Sequence, residues 1–172
     1  IFAGAGTGKT RVLTHKIAYL IIEKGYNPDD ILAVTFTNKA AAEMRTRVQS
    51  LLGKKSMSLN IGTFHSICAR LLRHEIVSLG FTPDFAIYDT ADQDQLIKTL
   101  MLNLKLTTNG ISAAAYRSRM SFIKSSMEDP SQLMKNGASP FDKSVAELYP
   151  VYKKALKENN AVDFGDLLLY PL

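Results

Sequence analysis

The 172-residue sequence has almost no cysteine: one residue, Cys68. That excludes an intrachain disulfide framework and agrees with a reducing compartment such as the cytoplasm. No apolar run approaches the roughly 18 residues of a membrane-spanning helix, so no helical span is expected. Signal-peptide pattern, internal repeats and low-complexity tracts are absent as well. There is no acidic excess either: 21 Lys and Arg face 16 Asp and Glu, for a net charge of +5. The surplus is uneven. Residues 1–88 carry 11 basic against 6 acidic side chains, and residues 89–172 carry 10 of each. A basic first half leans toward a polyanionic partner. Position 1 is not Met, and both ends, Ile1-Phe2-Ala3 and Tyr170-Pro171-Leu172, are apolar, as expected of a piece of a longer protein.

What is there is ordinary globular material, 46% hydrophobic and 22% charged. Ile1-Phe2-Ala3 reads as the end of a buried strand, and Gly4 to Gly8 is too glycine-rich for helix or strand. From Lys9 a helical pattern puts Leu13, Ile17, Leu20 and Ile21 on one face, with Gly25 as its stop. Ile31 to Phe36 has strand character. Thr37 or Asn38 can cap a helix to about Leu52, with Ala41, Met44, Val48 and Leu51 inward. Leu59 to Thr63 reads as a third strand, and Phe64 to about Leu79 as a third helix closed by Gly80. Strand and helix alternating three times predict a parallel sheet in an α/β layer fold. The rhythm then changes. A capping box at Thr90-Ala91-Asp92-Gln93 is expected to open a helix to about Lys105. Helices from Ser112 to Ser126 and from about Asp142 to Asn159 follow, broken around Asp129-Pro130. No strong strand is expected between Thr90 and Asn160, which makes that stretch a helical insertion.

Ala3-Gly4-Ala5-Gly6-Thr7-Gly8-Lys9-Thr10 matches the phosphate-loop pattern, with Ala3 in place of the first glycine. Glycines let the backbone fold back so that successive N–H groups point at phosphate oxygens. The helix that starts near Lys9 adds the positive end of its dipole. Lys9 is suited to the β- and γ-phosphates, and the Thr10 hydroxyl to Mg²⁺. Such a loop names a ligand class, a nucleoside triphosphate with Mg²⁺, and not a job.

Two further stretches fall where strands are expected to end: Val34-Thr35-Phe36-Thr37-Asn38-Lys39 and Gly62-Thr63-Phe64-His65-Ser66. Ligand sites of open α/β sheets gather at that edge. Each stretch combines hydroxyls, a helix N-terminus and an aromatic. Hydroxyls and helix N-termini hold phosphates, and an aromatic can stack on an unpaired base. Read singly, Phe36 and Phe64 are expected in the core, Thr37 or Asn38 as an N-cap, and His65 as a cap or filler. Arg70, Arg73 and His74 read as a solvated helix face.

Together these residues resemble the UvrD/Rep/PcrA family of superfamily 1 DNA helicases. The likeness lies in AGAGTGKT at 3–10, AVTFTNKAAAEM at 33–44 and GTFHSICARLLR at 62–73. IYDTADQ at 87–93 is similar to the passage where the family's helical subdomain 1B begins. AVDFGDLL at 161–168 is similar to the return into motor subdomain 1A, with Gly165 where the family usually has a second acidic residue. The resemblance implies a RecA-like P-loop NTPase parallel sheet, incomplete here, with a helical insertion. Residues 1–88 would be subdomain 1A, 89–160 subdomain 1B and 161–172 the return to 1A. It implies ATP and Mg²⁺ bound at residues 3–10, Arg11 against the adenine, and Phe36, Thr37, Asn38, Thr63, Phe64 and His65 on single-stranded DNA. It further implies 3′-to-5′ translocation, duplex DNA as a second partner, and a cytoplasmic, nucleoid-associated setting. Two rivals are a different P-loop class, such as a small-molecule kinase or transporter ATPase, and a non-enzymatic binding module. The first gives no reason for TFTNKAAAEM or GTFHS; the parent sequence beyond residue 172 decides the second.

The family's acidic Walker B motif, its arginine fingers and its second RecA-like domain have no counterpart in these 172 residues. Asp163 and Asp166 are not read as the catalytic acids, because no hydrophobic strand is expected before them. The isolated chain is therefore expected to hold nucleotide weakly and to leave ATP intact, since arginine fingers alone are worth about 10³–10⁵ in rate. Steady-state phosphate release by the purified chain measures this, and robust turnover would contradict the assignment.

Overall fold

Short strands that end beside one another organise the architecture. The computed structural model describes residues 8–53, 58–106, 110–134 and 138–172. It divides into two compact units, Ile1–Ile67 and Cys68–Leu172, with the division inside a helix.

In the first unit the order is α1 (Lys9–Ile22), β1 (Leu32–Thr35), α2 (Asn38–Leu52), β2 (Asn60–Thr63) and the start of α3 (Phe64–Glu75). The strands pair in parallel, Leu32 with Asn60, Ala33 with Ile61, Val34 with Gly62 and Thr35 with Thr63. Ile17, Ala18 and Ile21 of α1, Met44, Val48 and Leu52 of α2, and Leu59 and Ile61 form its core. Spacings of three and four residues bring each set onto one helix face. Two inward assignments are off by one position. Leu13 is exposed while Thr14 and Ala18 are buried, and Leu51 is exposed while Leu52 is buried. Of the other expected inward residues, Ile17 and Ile21 of α1 and Ala41, Met44 and Val48 of α2 are buried.

The second unit continues α3 into a 3-10 turn at Ile76–Leu79, which Gly80 closes at φ 79°, a left-handed conformation suited to glycine. Then come β3 (Ala86–Tyr88), α4 (Thr90–Asn103), α5 (Ala113–Ser126), α6 (Pro140–Glu158), β4 (Ala161–Asp163) and α7 (Phe164–Leu169). Among the described residues, none between Thr90 and Asn160 lies in a strand. One cluster of Ile97, Tyr116, Met120, Ile123, Leu148 and Tyr152 joins the three long helices. A second, of Leu72, Ile76, Phe81, Phe85, Val162 and Leu167, lies under α3 and α7.

Three features depart from expectation. First, the described strands form two two-stranded parallel pairs, because β3 pairs with β4, Ala86 with Ala161 through Tyr88 with Asp163. The strand expected at Ile1–Ala3 lies outside the described residues. Second, the cap of α4 is Asp89 and not Thr90. The Asp89 carboxylate accepts from the Ala91 and Asp92 amides at 2.7 and 3.0 Å, and Asp92 returns to the Asp89 amide at 3.0 Å. Gln93 instead turns inward and donates to the Tyr88 carbonyl at 3.1 Å. Third, Arg73 is not solvated. It donates to the Pro83 and Phe85 carbonyls at 2.5 and 2.7 Å and lies 3.8 Å from the Phe85 ring centre.

The deepest polar feature ties α5 to the returning strand. Lys124 Nζ lies 2.6 Å from Asp163 Oδ2 and 2.7 Å from Asp166 Oδ1, and all three side chains are buried. The Tyr152 hydroxyl donates to Asp163 Oδ2 at 3.0 Å, and Asp163 and Asp166 cap α7 reciprocally. Burial pushes the Asp166 carboxyl above its usual range while Lys124 pulls it down. A hydrophobic strand, Ala161–Asp163, does precede these acids. What takes them out of consideration as catalytic acids is that Lys124 already engages both. Replacing the lysine leaves two buried carboxyls without a countercharge. Lys124→Met is expected to destabilise by about 3–5 kcal/mol. Urea denaturation measures it, and a loss below about 1 kcal/mol would mean that the cluster adds little.

Candidate nucleotide and nucleic-acid faces

The first candidate site begins at a left-handed residue. Gly8 has φ 81° and ψ 18° and stands at the N-cap of α1. Its position leaves open space for a Cβ, so the demand for glycine is conformational and not steric. Lys9 and Thr10 open the helix, and its first turn contains no acidic residue to offset the helix dipole. Lys9 and Arg11 are exposed, and Thr10 is half-buried. The conformation fits a phosphate group, with a left-handed glycine feeding a helix N-terminus that carries a lysine and a hydroxyl. Ala3, Gly4, Ala5, Gly6 and Thr7 lie outside the described residues. Among the described residues no group of three or more His, Cys, Asp and Glu side chains is placed to hold a metal ion. Thr10, the residue of this chain expected at Mg²⁺, lies within the described residues.

The second candidate site lies where β1 and β2 end. Thr35 and Thr63 are register partners, so the residues that follow them emerge side by side. Phe36 is 94% exposed and Phe64 51% exposed, which overturns the core reading of each. Their ring centres are 6.4 Å apart at 63°, an edge-to-face contact. Two large aromatics standing in solvent against each other cost hydrophobic free energy.

Local hydrogen bonds aim both rings. Thr37 is the N-cap of α2: its hydroxyl oxygen accepts from the Ala40 amide at 3.1 Å. The Thr35 hydroxyl donates to the Thr37 carbonyl at 3.0 Å and fixes the turn through Phe36. Asn38 and Lys39 are exposed on the first turn of α2, and His65 is half-buried on that of α3. Thr63 differs from the other expected contacts. It is 8% exposed, and its hydroxyl oxygen accepts from the Ser66 amide at 3.2 Å. The structure thus brings Phe36, Thr37, Asn38, Phe64 and His65 to one strand edge and turns the Thr63 side chain inward. Ser66, part of the expected DNA-contacting stretch, serves instead as the partner of a cap with Thr63, as the Thr63-x-x-Ser66 spacing allows.

A family model described as "UvrD/REP helicase N-terminal domain" matches residues 1–172. The chain belongs to that family. It is 43% identical over 169 residues to a protein of Bacillus subtilis (strain 168) named ATP-dependent DNA helicase PcrA. It is 40% identical over 169 residues to a protein of that name in Staphylococcus aureus (strain Mu50). Each match takes in 98% of this chain and 23% of the relative, so the chain spans about a quarter of the length of the curated relatives it matches. Glycine at position 165 has a local use. A Cβ there would come within 3.0 Å of the Lys124 Cδ and 3.2 Å of Asp163 Oδ1, so glycine leaves room for the buried lysine.

The exposure of the aromatic pair separates structure from function. Phe36→Ala is expected to change stability by no more than about 0.5 kcal/mol, as at other surface positions. Met44→Ala, in the core of the same unit, should cost about 2–5 kcal/mol. Chemical denaturation of the two variants checks this, and equal losses would place Phe36 in a packed environment.

Proposed function

We propose that this chain is the ATP-binding and strand-gripping part of a 3′-to-5′ DNA helicase, with a RecA-like motor subdomain interrupted by a helical insertion. In this reading residues 1–88 and 161–172 belong to subdomain 1A and residues 89–160 to subdomain 1B. The observation that carries it is the exposed pair Phe36 and Phe64, side by side at the ends of paired strands. A small-molecule kinase or a transporter ATPase has no use for two such rings there. Family membership and relatives named ATP-dependent DNA helicase point the same way.

The chemistry follows from the residues. ATP with Mg²⁺ supplies the phosphoryl bond whose hydrolysis drives movement. Lys9 would bring its charge to the β- and γ-phosphates, and the N-terminus of α1 would present amides to them. The Thr10 hydroxyl would ligate Mg²⁺, residues 3–8 would wrap the phosphates, and Arg11 would lie against the adenine. Phe36 and Phe64 would stack on unpaired bases, which each provide a π-face whatever their sequence. Thr37, Asn38 and His65 would meet the sugar–phosphate chain. Thr63 would contribute through its backbone and its cap. The excess of positive charge in residues 1–88 agrees with a polyanion, and makes binding fall as salt rises. Duplex DNA and a cytoplasmic, nucleoid-associated setting belong to the same proposal.

Two variants of the full-length protein test it. Lys9→Ala is expected to abolish ATP hydrolysis with the fold intact, and near-normal turnover would remove the phosphate-loop assignment. Phe64→Ala is expected to weaken single-strand binding by about 1–3 kcal/mol with little dependence on base sequence. An unaltered affinity would remove the stacking role.

A further inference from the structure

We infer that Ser66 is a positioning residue for the single-strand face, and that Gly62 is glycine to make room for it. The inference rests on the proposed reading of Phe36 and Phe64 as base contacts, and adds to it two residues that touch no DNA. Thr63 and Ser66 close a reciprocal hydroxyl cap on α3. The Thr63 amide donates to Ser66 Oγ at 2.9 Å, the Ser66 amide donates to Thr63 Oγ1 at 3.2 Å, and the Ser66 hydroxyl donates to the Thr63 carbonyl at 2.9 Å. Phe64 and His65 lie inside this closed turn. Their backbone is held from both sides, and the Phe64 ring is delivered outward against Phe36. Thr63 is meanwhile withdrawn: a buried side chain whose oxygen serves the helix terminus is poorly available to a phosphate.

Gly62 belongs to the same device. A Cβ on Gly62 would lie 2.5 Å from Ser66 Oγ and 3.2 Å from the Ile67 Cγ1, although its backbone conformation is one any residue adopts. Only the absence of a side chain lets the serine hydroxyl lie over the strand end. Gly62 also pairs with Val34 in the register that brings Phe36 and Phe64 together. One small residue therefore serves strand pairing and the cap at once. In motor terms, Ser66 decides where the second ring stands relative to the first.

The test uses the full-length protein and a labelled single-stranded oligonucleotide. Ser66→Ala is expected to weaken binding about ten-fold, the loss of one stacked base. The slope of affinity against salt should stay unchanged, because no phosphate contact is removed. Ser66→Thr keeps a hydroxyl and should retain affinity. Gly62→Ala should reproduce the ten-fold loss, and Gly62→Ala with Ser66→Ala should be no worse than Ser66→Ala alone, since both act on the same hydroxyl. Wild-type affinity in Ser66→Ala, or losses that multiply in the double variant, would overturn the inference. If Ser66→Ala does not fold, Gly62→Ala decides: a ten-fold loss supports the role and unchanged affinity overturns it. Phe64→Ala measured alongside separates this from the underlying reading. If Phe64→Ala weakens binding and Ser66→Ala does not, only the positioning role fails. If neither does, the stacking surface itself is wrong.

Discussion

The in-register pairing of Thr35 with Thr63 is the constraint on which the proposed face depends. Parallel strands end at the same edge, so two helices that follow them must begin there as well. Here β1 and β2 are four residues long and stop together. The residue after each strand is phenylalanine, and the two rings meet at 6.4 Å. A slip of one residue in this register would turn Ile61 out of the core, where it is 3% exposed. It would also carry Phe64 away from Phe36. Core burial and the geometry of the face are thus set by the same alternation of side chains. Arg45 of α2 adds a pin, its guanidinium donating to the Ile61 carbonyl of β2 at 2.6 Å.

Much of this was legible in the chain. The strand–helix order, the glycine at the helix start and the stops at Gly25 and Gly80 follow from local chemistry that glycine alone satisfies cheaply. The helical character of the stretch after Thr90 was legible too, because its periodicity and caps are strong. What was not legible is instructive. Phe36 and Phe64, taken singly, read as core, because size and hydropathy say nothing of exposure. Asp89 was missed as the cap of α4 because Thr90 beside it is an equally good cap by type, and only the backbone conformation decides. The pairing of β3 with β4 has no signal of its own: each strand has three residues, and residues 89–160 intervene. Long-range pairing of that kind is a tertiary fact, not a propensity.

The buried Lys124 with Asp163 and Asp166 gives that long-range pairing its anchor. β4, three residues long, offers little area to hold the long helices that precede it. A lysine from the last turn of α5, engaged by both acids that cap α7, fixes α5 to the strand pair in one arrangement. Buried ion pairs are modest contributors to net stability, yet they discriminate strongly against alternatives that leave a charge unpaired. Arg119 plays a lesser form of the same part at the surface of the unit, joining Glu128 at 2.9 Å and Asp142 at 3.0 Å. The aromatic pair lies in one unit and this lock in the other.

The proposed role of the exposed aromatic pair is to stack on unpaired bases. A fluorescent adenine analogue such as 2-aminopurine, placed within a single-stranded oligonucleotide, reports stacking directly through quenching. With the full-length protein the account predicts strong quenching on binding, lost in the Phe36→Leu, Phe64→Leu double variant while the melting temperature stays near that of the parent. Quenching that survives the double substitution would contradict it, since the bases would then be stacking elsewhere.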